Sequence, residues 1–410
     1  MGEEGTGRRL LKAFSELTQS KSYWRITIQE IASKAGVAPS TFYLYYKSKE
    51  ELLREYMSEV LGYVRGRLEE LLDERPLIGL RKMIWELISV HEDPTAKPFY
   101  KSLRELEFIS PELALQFYSQ LTASISEFIE RWRGSVFRND VDPEIVADAI
   151  IGGVMFIHMA RSSYKPGCLD VDAEVLGDII LKGISGCKPL PEPPSFTELR
   201  EVKADELIDS LGILERLGFS PARSKFVKAA LRAFSRKSYY ETKIYEISEE
   251  AGYAVGMFYK VYSTKKDVLR DLVDVLGKVI RRYISMEAER YEDRRLKEVA
   301  GSRAFLNFVE WNSELYRIVR ESEFVDPAIP ARYYTPFIEG YAEGLREGMR
   351  RCEIAPHPPY SLAISLMGIN HMLGQAYIYF KRLHSISYIV SKLWSLLTSG
   401  ILEEWGGIHE

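Results

Sequence analysis

The sequence predicts an all-α protein built from two tandem copies of one helical unit, and two observations support this prediction. Apolar residues recur at three- and four-residue spacing along most of the 410 residues, whereas the alternation typical of half-buried strands is scarce. Residue i also resembles residue i + 216 over nearly the whole chain. A period this long indicates a duplicated domain rather than a solenoid of short repeats.

The repeat runs from the first predicted helix to the last. Lys21-Ser22-Tyr23 aligns with Lys237-Ser238-Tyr239, and Gly152 aligns with Gly368. The same offset pairs Arg104-Glu105 with Arg320-Glu321, which we interpret as structural ion pairs. We therefore expect one unit over about residues 1–194 and a second over about 217–410, each with roughly nine or ten helices.

A proline-rich segment separates the units. It reads KPLPEPPSFTELREVKADELIDSLGILERLG, and its four prolines predict a stiff, extended spacer. Leucine and valine then recur at helical spacing from Leu199 to Leu214, which predicts one connecting helix.

Composition limits the classes of function. Hydrophobic residues make up 46% and charged residues 28% of the chain, and the net charge is −4, so nucleic-acid binding would need a local surface. We find no apolar run long enough to span a bilayer and no signal peptide, and we expect a cytoplasmic protein without a membrane partner. Three distant cysteines suggest no disulfide framework, and no motif indicates a metal, a cofactor or an enzyme. Five glutamines and four asparagines fit a heat-adapted source.

Residues 27–52 predict a helix-turn-helix. Thr27 and Glu30 form a capping-box pattern, and Gly36 permits a tight turn. Pro39 then stands in the first turn of a short helix whose Phe42 and Tyr46 point inward. Ser48 and Glu51 repeat the capping-box pattern at the start of the next helix. The second of these helices has the position of one that enters a DNA major groove.

Two segments resemble the DNA-binding domain of the TetR/AcrR family of transcriptional regulators. They are TIQEIASKAGVAPSTFYLYYKSKEELL, from residue 27, and KIYEISEEAGYAVGMFYKVYSTKKDVL, from residue 243. Residues 315–349 are similar to the helical effector-binding region of such regulators. The resemblance implies DNA-binding domains at 1–57 and 217–273, helical effector-binding and dimerisation domains at 58–187 and 274–410, and a linker at 188–216.

The resemblance also implies which residues face DNA. In the first unit they are Thr27, Pro39, Ser40, Thr41, Tyr43, Leu44 and Tyr45, with Lys49 on a phosphate. In the second unit they are Lys243, Val255, Gly256, Met257, Tyr259, Lys260, Val261 and Lys265. The inward pair is kept as Phe258 and Tyr262, so the scaffold is conserved between the units while the reading surface differs. Either both units read DNA, at two different half-sites, or one has become packing material.

The second unit departs from the first at two positions. Gly256 lies early in its recognition helix, where glycine costs up to about 1 kcal/mol relative to alanine. Lys243 replaces the capping Thr27, and the neighbouring Thr242 is an alternative cap.

The last apolar stretches, from Pro143 and from Ser361, correspond to helices that build a four-helix dimer interface in the family. That interface could form within one chain, as a covalent pseudo-dimer favoured by the linker, or between two chains. The middle helices would enclose an apolar or amphipathic effector, although each aromatic residue could equally be core. The candidates are Trp85, Phe99, Tyr100, Phe108, Tyr118, Met155, Phe156, Trp311, Tyr316, Phe324, Tyr334, Phe337, Tyr341 and Met372.

Two functions stay open at this point. The first is a ligand-responsive transcriptional regulator, with a repressor favoured. The second is a non-regulatory binding protein, either an architectural DNA binder or a small-molecule sink with one or both reading surfaces degenerate.

Overall fold

A computed structural model describes residues 5–90, 103, 105–163, 169–326, 328–383 and 385–403. Within these ranges every named element is a helix, and β-pairing is limited to two isolated bridges, Arg133 with Phe137 and Ser185 with Ile354. The all-α prediction is therefore confirmed.

The first unit contributes eight named helices. A short 3-10 turn, Tyr23–Arg25, follows the first of them. The helices are α1 (Thr6–Thr18), α2 (Ile28–Lys34), α3 (Pro39–Tyr45), α4 (Lys49–Glu69), α5 (Pro76–Ser89), α6 (Pro111–Trp132), α7 (Pro143–Ser163) and α8 (Leu169–Lys182). We call α1–α3, residues 6–45, the first head.

The linker and the second unit contribute the remaining named helices. They are α9 (Ala204–Ser210), α10 (Ile213–Arg216), α11 (Pro221–Arg236), α12 (Ile244–Glu250), α13 (Val255–Val261), α14 (Lys265–Ala288), α15 (Arg294–Trp311), α16 (Ser313–Val325), α17 (Ala328–Arg350), α18 (Pro359–Ile378) and α19 (Ile386–Ser399). We call α11–α13, residues 221–261, the second head.

The helix bounds refine the repeat. Helices α2, α3 and the start of α4 reappear 216 residues later as α12, α13 and the start of α14. Helix α8 reappears as α19 at an offset of 217, so the single offset expected from the sequence is wrong at the end of the unit. One residue has been inserted between the last two helices of the second unit.

The linker lies along helix α15. Arg295, almost fully buried, donates to the carbonyl oxygens of Lys188 (2.8 Å) and Pro189 (2.7 Å). Asn312 donates to the carbonyl oxygen of Val202 at 2.9 Å. Residues 188–203 have no helix, as the prolines predict, but the one connecting helix expected after them is two short helices. The break falls at Gly212, whose φ of +55° suits glycine.

The chain divides into two compact bodies, residues 1–139 and 140–410. The second body holds the last two helices of the first unit together with the whole second unit. Within it, α7 packs along α18, and α8 packs against α18 and α19. The core of this second body therefore joins helices from both repeats.

The crossing of α7 and α18 is closest at one glycine from each repeat. A Cβ atom on Gly152 would lie 2.2 Å from the carbonyl oxygen of Gly368, and a Cβ on Gly368 would lie 2.2 Å from that of Gly152. The end of the bundle repeats this reciprocity, because Ile184 N donates to Leu397 O (2.7 Å) and Ile401 N donates to Ile180 O (2.9 Å). Equivalent residues that contact each other reciprocally are typical of a two-fold interface.

Helix α7 also differs from one sequence expectation. Among the described helices, one segment, Pro143–Arg161, is long and apolar enough to cross a membrane by length and composition. Its mean hydropathy is 1.4, and 83% of it is buried inside the structure, as in the core helix of a bundle.

Candidate functional site

Local sequence explains how the first head presents its surface. Thr27 accepts a hydrogen bond from Glu30 N at 3.2 Å, and the Glu30 carboxylate accepts from Thr27 N at 2.9 Å, so the predicted capping box is confirmed. Phe42 and Tyr46 are buried, as predicted. Because these rings hold the inner side of α3, the outer side projects Tyr43, Leu44 and Tyr45 into solvent, with Leu44 81% exposed.

The second head has the same frame and a different outer surface. Phe258 and Tyr262 are buried, while Val255 and Tyr259 are exposed on α13. Gly256 has open space where a side chain would be, whereas Met257 and Val261 are half-buried. Of the predicted DNA-facing residues, Pro39 and Ser40 in the first head and Lys243 and Lys260 in the second are also exposed, and Thr41 is half-buried.

The two heads differ in one internal brace. In the second head, Tyr262 donates to the Asp271 carboxylate at 2.7 Å, and Arg223 donates to both oxygens of Asp271 at 2.7 and 2.8 Å. In the first head the residue equivalent to Arg223 is Gly7, whose carbonyl oxygen accepts from Tyr46 at 3.4 Å. A bidentate charged brace is stronger than one neutral hydrogen bond, so it offsets part of the cost of Gly256.

The cap of α12 corrects one expectation. Thr242 is buried and donates to the carbonyl oxygen of Ser238 at 2.9 Å, so it does not cap the helix. Lys243 occupies the N-cap position, and its backbone N–H donates to the Glu246 carboxylate at 2.8 Å. Since a lysine side chain has no acceptor, only half of the capping box is retained.

Lys49 and Lys265 face inward rather than towards solvent. Lys49 Nζ donates to the carbonyl oxygens of Tyr23 and Ile26, both at 2.8 Å, and lies 4.0 Å from the centre of the Tyr23 ring. Lys265 Nζ makes the equivalent bonds to Tyr239 O (2.6 Å) and Thr242 O (2.7 Å). Burial lowers the pKa of both ammonium groups. In this structure each lysine secures its head, and phosphate contact remains a prediction for both.

Changing Lys49 to methionine is expected to destabilise the first head by about 1–2 kcal/mol, because two buried carbonyls lose a charged donor. Denaturant unfolding measures the loss, and Lys47→Met, at an exposed neighbouring lysine, is the control. Unchanged stability, with a salt dependence of DNA binding lowered by about one counterion, would contradict the inward role and support the phosphate role.

A second repeated contact joins each head to the helical region behind it. Glu105 accepts from Tyr23 N at 2.7 Å, and Glu321 accepts from Tyr239 N at 2.9 Å. Burial raises the pKa of Glu321. The expected pairing of Arg320 with Glu321 is wrong: Arg320 pairs with Glu323 at 3.5 Å, and Glu321 is nearer to Arg317, at 3.8 Å. Arg104 lies outside the described residues.

Helix α16 carries the most extensive contact with the second head. Arg317 Nη2 donates to the carbonyl oxygens of Phe234 (3.1 Å), Ser235 (3.0 Å) and Lys237 (2.9 Å), at the C-terminus of α11. A guanidinium there satisfies free carbonyls and opposes the negative end of the helix dipole. One residue before Arg317, Tyr316 turns to the other side of α16.

Tyr316 lines a cavity of about 270 Å³ inside the second body. Five of the predicted effector-binding residues line it: Phe156, Tyr316, Tyr334, Phe337 and Tyr341. Phe156 comes from α7 of the first repeat, and its ring packs edge-on against Tyr334 with centroids 5.7 Å apart. The cavity is therefore built from both repeats.

The cavity has an apolar wall and a cationic side that the sequence analysis missed. The apolar wall includes Ile284, Phe305, Pro336 and Met367. Arg294 is neutralised by Glu298 (2.5 Å), which also accepts from Tyr341. Arg281 and Lys297 form no ion pair with any described carboxylate, and the hydrogen bond of Arg281 goes to Tyr333 O at 3.2 Å. Burial lowers the pKa of Arg281, so an anionic group beside it would be stabilised.

The other predicted effector residues do not line this cavity. Trp85 is 42% exposed, Tyr118, Met155 and Met372 are buried in the packed core, and Phe108, Trp311 and Phe324 are half-buried elsewhere. Phe99 and Tyr100 lie outside the described residues. His371, dismissed as a lone histidine, lines the cavity and hydrogen-bonds to Tyr316 through Nδ1. No cluster of three metal-ligating side chains occurs in the part of the chain that the structure describes.

Comparison with known proteins places the two heads in one family. The model of the TetR_N domain, bacterial regulatory proteins of the tetR family, matches residues 10–56 and again residues 226–272. The HTH-type transcriptional regulator YdgC of Bacillus subtilis is 28% identical over 192 residues, which are 44% of this chain and 92% of that protein. The HTH-type transcriptional repressor KstR2 of Rhodococcus jostii is 25% identical over 200 residues, 45% of this chain and 93% of that protein.

Solved structures match in the same way. The fatty acid degradation regulator FadR from Bacillus halodurans is 18% identical, with 44% of this chain and 96% of that chain covered and a TM-score of 0.39. SmeT, the repressor of the Stenotrophomonas maltophilia multidrug efflux pump SmeDEF, is 22% identical, with 43% and 88% covered and a TM-score of 0.37. Each of these four proteins matches along most of its own length to less than half of this chain.

Proposed function

We propose that this chain, which belongs to the tetR family of bacterial regulatory proteins and carries its DNA-binding domain twice, is a ligand-responsive repressor that works as a covalent pseudo-dimer in the cytoplasm. Its two heads would read an asymmetric operator, because the exposed residues of α3 and α13 differ. The observation that carries the proposal is the reciprocal contact of Gly152 with Gly368 between equivalent helices of one chain.

That contact supports pairing within the chain rather than between chains. Two equivalent glycines face each other, as they would across the two-fold axis of a homodimer. Arg382 from the second unit also pairs with the buried Asp148 of the first at 2.8 Å, and Tyr388 donates to Asp142 at 2.7 Å. These contacts satisfy the surface that an ordinary family member would present to a second chain.

The cavity supports a ligand with an apolar body and one anionic group. Its aromatic and aliphatic wall suits the body, and Arg281 with Lys297 suits the anion. Helix α16 supports coupling, because it places Tyr316 in the cavity and Arg317 on α11 of the second head. A ligand that displaces Tyr316 would act through this helix on one head of the pair.

Single-head variants test the proposal. Tyr43→Ala and Tyr259→Ala each remove one exposed ring from a recognition helix, and each should weaken binding to the operator about 10- to 100-fold. In a footprint on the DNA upstream of the chain's own coding region, each variant should lose protection over a different half-site. Trp85→Ala, at an exposed ring outside both heads, is the matched control.

The alternatives predict other outcomes. An architectural DNA binder would show no discrete footprint, and a small-molecule sink would bind decanoate without binding DNA. If the Tyr259 variant changed nothing while the Tyr43 variant abolished protection, the second head would be packing material. Release of the footprint by decanoate but not by decanol would support the anionic ligand class.

A further inference from the structure

Two short segments of the second body pair as antiparallel backbone. Ser185 and Ile354 form a β-bridge, Ala355 N donates to Ile184 O at 2.8 Å, and Gly186 N donates to Glu353 O at 3.0 Å. The first segment directly follows α8, and the second follows α17. The pairing therefore connects the end of the first repeat to the turn after a helix that lines the cavity.

The register of this pairing brings two cysteines face to face. In antiparallel pairing, moving two residues forward on one segment and two back on the other leads from Ser185 and Ile354 to Cys187 and Cys352. The hydrogen bonds pass through the pairs 184–355 and 186–353, so 187 and 352 form a non-hydrogen-bonded pair. Such pairs have Cα atoms about 4.5 Å apart, within the range that a disulfide spans.

The local backbone supports this close approach. Lys188 N donates to Cys352 O at 2.8 Å, which ends the pairing just beyond the two cysteines. A Cβ on Gly186 would lie 2.5 Å from the carbonyl oxygen of Cys352, so only glycine permits the approach. Cys352 adopts φ +56°, a left-handed conformation that few non-glycine residues adopt. Both cysteines are exposed to solvent and to oxidants.

Contact between the two thiols has a direct consequence for their chemistry. A hydrogen bond with Cys187 raises the pKa of Cys352. One sulfur thus already lies against the other, as attack through a mixed disulfide requires.

We propose that Cys187 and Cys352 form a reversible disulfide that fastens the start of the linker to the end of α17. With oxidised glutathione, the two protein thiols become one disulfide, and the two electrons and two protons pass to glutathione, which leaves as two thiols. The bond needs no rearrangement of the chain, since the pairing of residues 184–188 with 352–355 already holds both cysteines. The proposal does not depend on the proposed function.

The bond would act on the cavity through α17. Helix α17 supplies Tyr333, Tyr334, Phe337 and Tyr341 to the cavity wall, and Cys352 follows its last residue by two positions. The closed loop would span 165 residues, from 187 to 352, and long loops stabilise most when closed. Intracellular disulfides of this kind occur in proteins of hyperthermophiles.

Peptide mapping of the full-length protein tests the proposal. After equilibration with oxidised glutathione, we expect one thiol per chain in place of three and one linked tryptic pair containing residues 187 and 352. The oxidised protein should melt about 5–10 °C above the reduced protein. Cys168→Ser, which removes the third cysteine, should keep both the linked pair and the melting difference.

The serine variants at the pair decide the outcome. Cys187→Ser and Cys352→Ser should each abolish the melting difference while leaving the reduced melting temperature within about 2 °C of wild type, because exposed Cys→Ser changes cost little. Three free thiols after equilibration, a linked pair that includes Cys168, or a cross-link between two chains on a non-reducing gel would each overturn the proposal.

Discussion

Replacing Gly368 by alanine is expected to lower the free energy of unfolding by about 3 kcal/mol. The added Cβ would lie 2.2 Å from the carbonyl oxygen of Gly152 and 2.9 Å from the Cβ of Phe156. A backbone carbonyl inside a helix cannot rotate away, so α7 and α18 must separate along their whole contact. Forced separation of a close-packed interface costs a few kcal/mol.

Gly374→Ala is the matched control because it lies on the same helix. A Cβ there would meet only ordinary contacts at 3.5 and 3.6 Å, with Leu306 and Phe305. Alanine at this position should leave stability unchanged or raise it by up to about 1 kcal/mol. Chemical denaturation, followed by circular dichroism, measures both variants.

The double variant Gly152→Ala/Gly368→Ala tests whether the two positions share one contact. Since either single change already separates the helices, the second should add much less than its own separate cost. Equal stability of the Gly368 and Gly374 variants, or full additivity of the two interface changes, would show that α7 and α18 do not pair as the structure has them.

Replacing Arg317 by glutamine is expected to loosen the second head without affecting the first. The change removes a guanidinium that donates to three carbonyl oxygens at the end of α11. Charge-assisted hydrogen bonds contribute about 1.5–3 kcal/mol, so amide hydrogen exchange in residues 226–242 should accelerate by about 10- to 100-fold. Residues 10–26 of the first head serve as the internal reference.

Arg236→Gln controls for the loss of a cation near the same helix end. Arg236 is exposed and pairs with Glu250 at 2.5 Å, an interaction of the surface kind that contributes little. Its exchange rates should stay within about threefold of wild type. If the Arg317 and Arg236 variants behaved alike, or if both heads loosened together, α16 would not be the element that couples the cavity to the second head.

Local sequence rules accounted for the heads, because a helix-turn-helix is set by residues close together in the chain. The capping box of Thr27 with Glu30 and the inward rings of Phe42 and Tyr46 needed no tertiary information. Thr242 shows the limit, since its hydroxyl found backbone acceptors in the preceding turn instead of capping the next helix.

The cavity and the cysteine pair were beyond such rules. Aromatic residues indicated half of the wall, but Arg281 and Lys297 look like ordinary solvated positions until α14 and α15 pack around a space. Lys49 was assigned to DNA from its place at a helix N-terminus, and only the fold shows its ammonium group on two carbonyls. Cys187 and Cys352 are 165 residues apart, and a long-range backbone register brings them together.

The central claim is that one chain supplies both halves of a dimer with two different reading surfaces. Native mass spectrometry of the protein bound to its footprinted operator tests it most directly. The account predicts one chain per operator, protecting two dissimilar half-sites in a fixed order. Two chains on a palindromic site would contradict it, because identical heads on separate chains would then be reading the DNA.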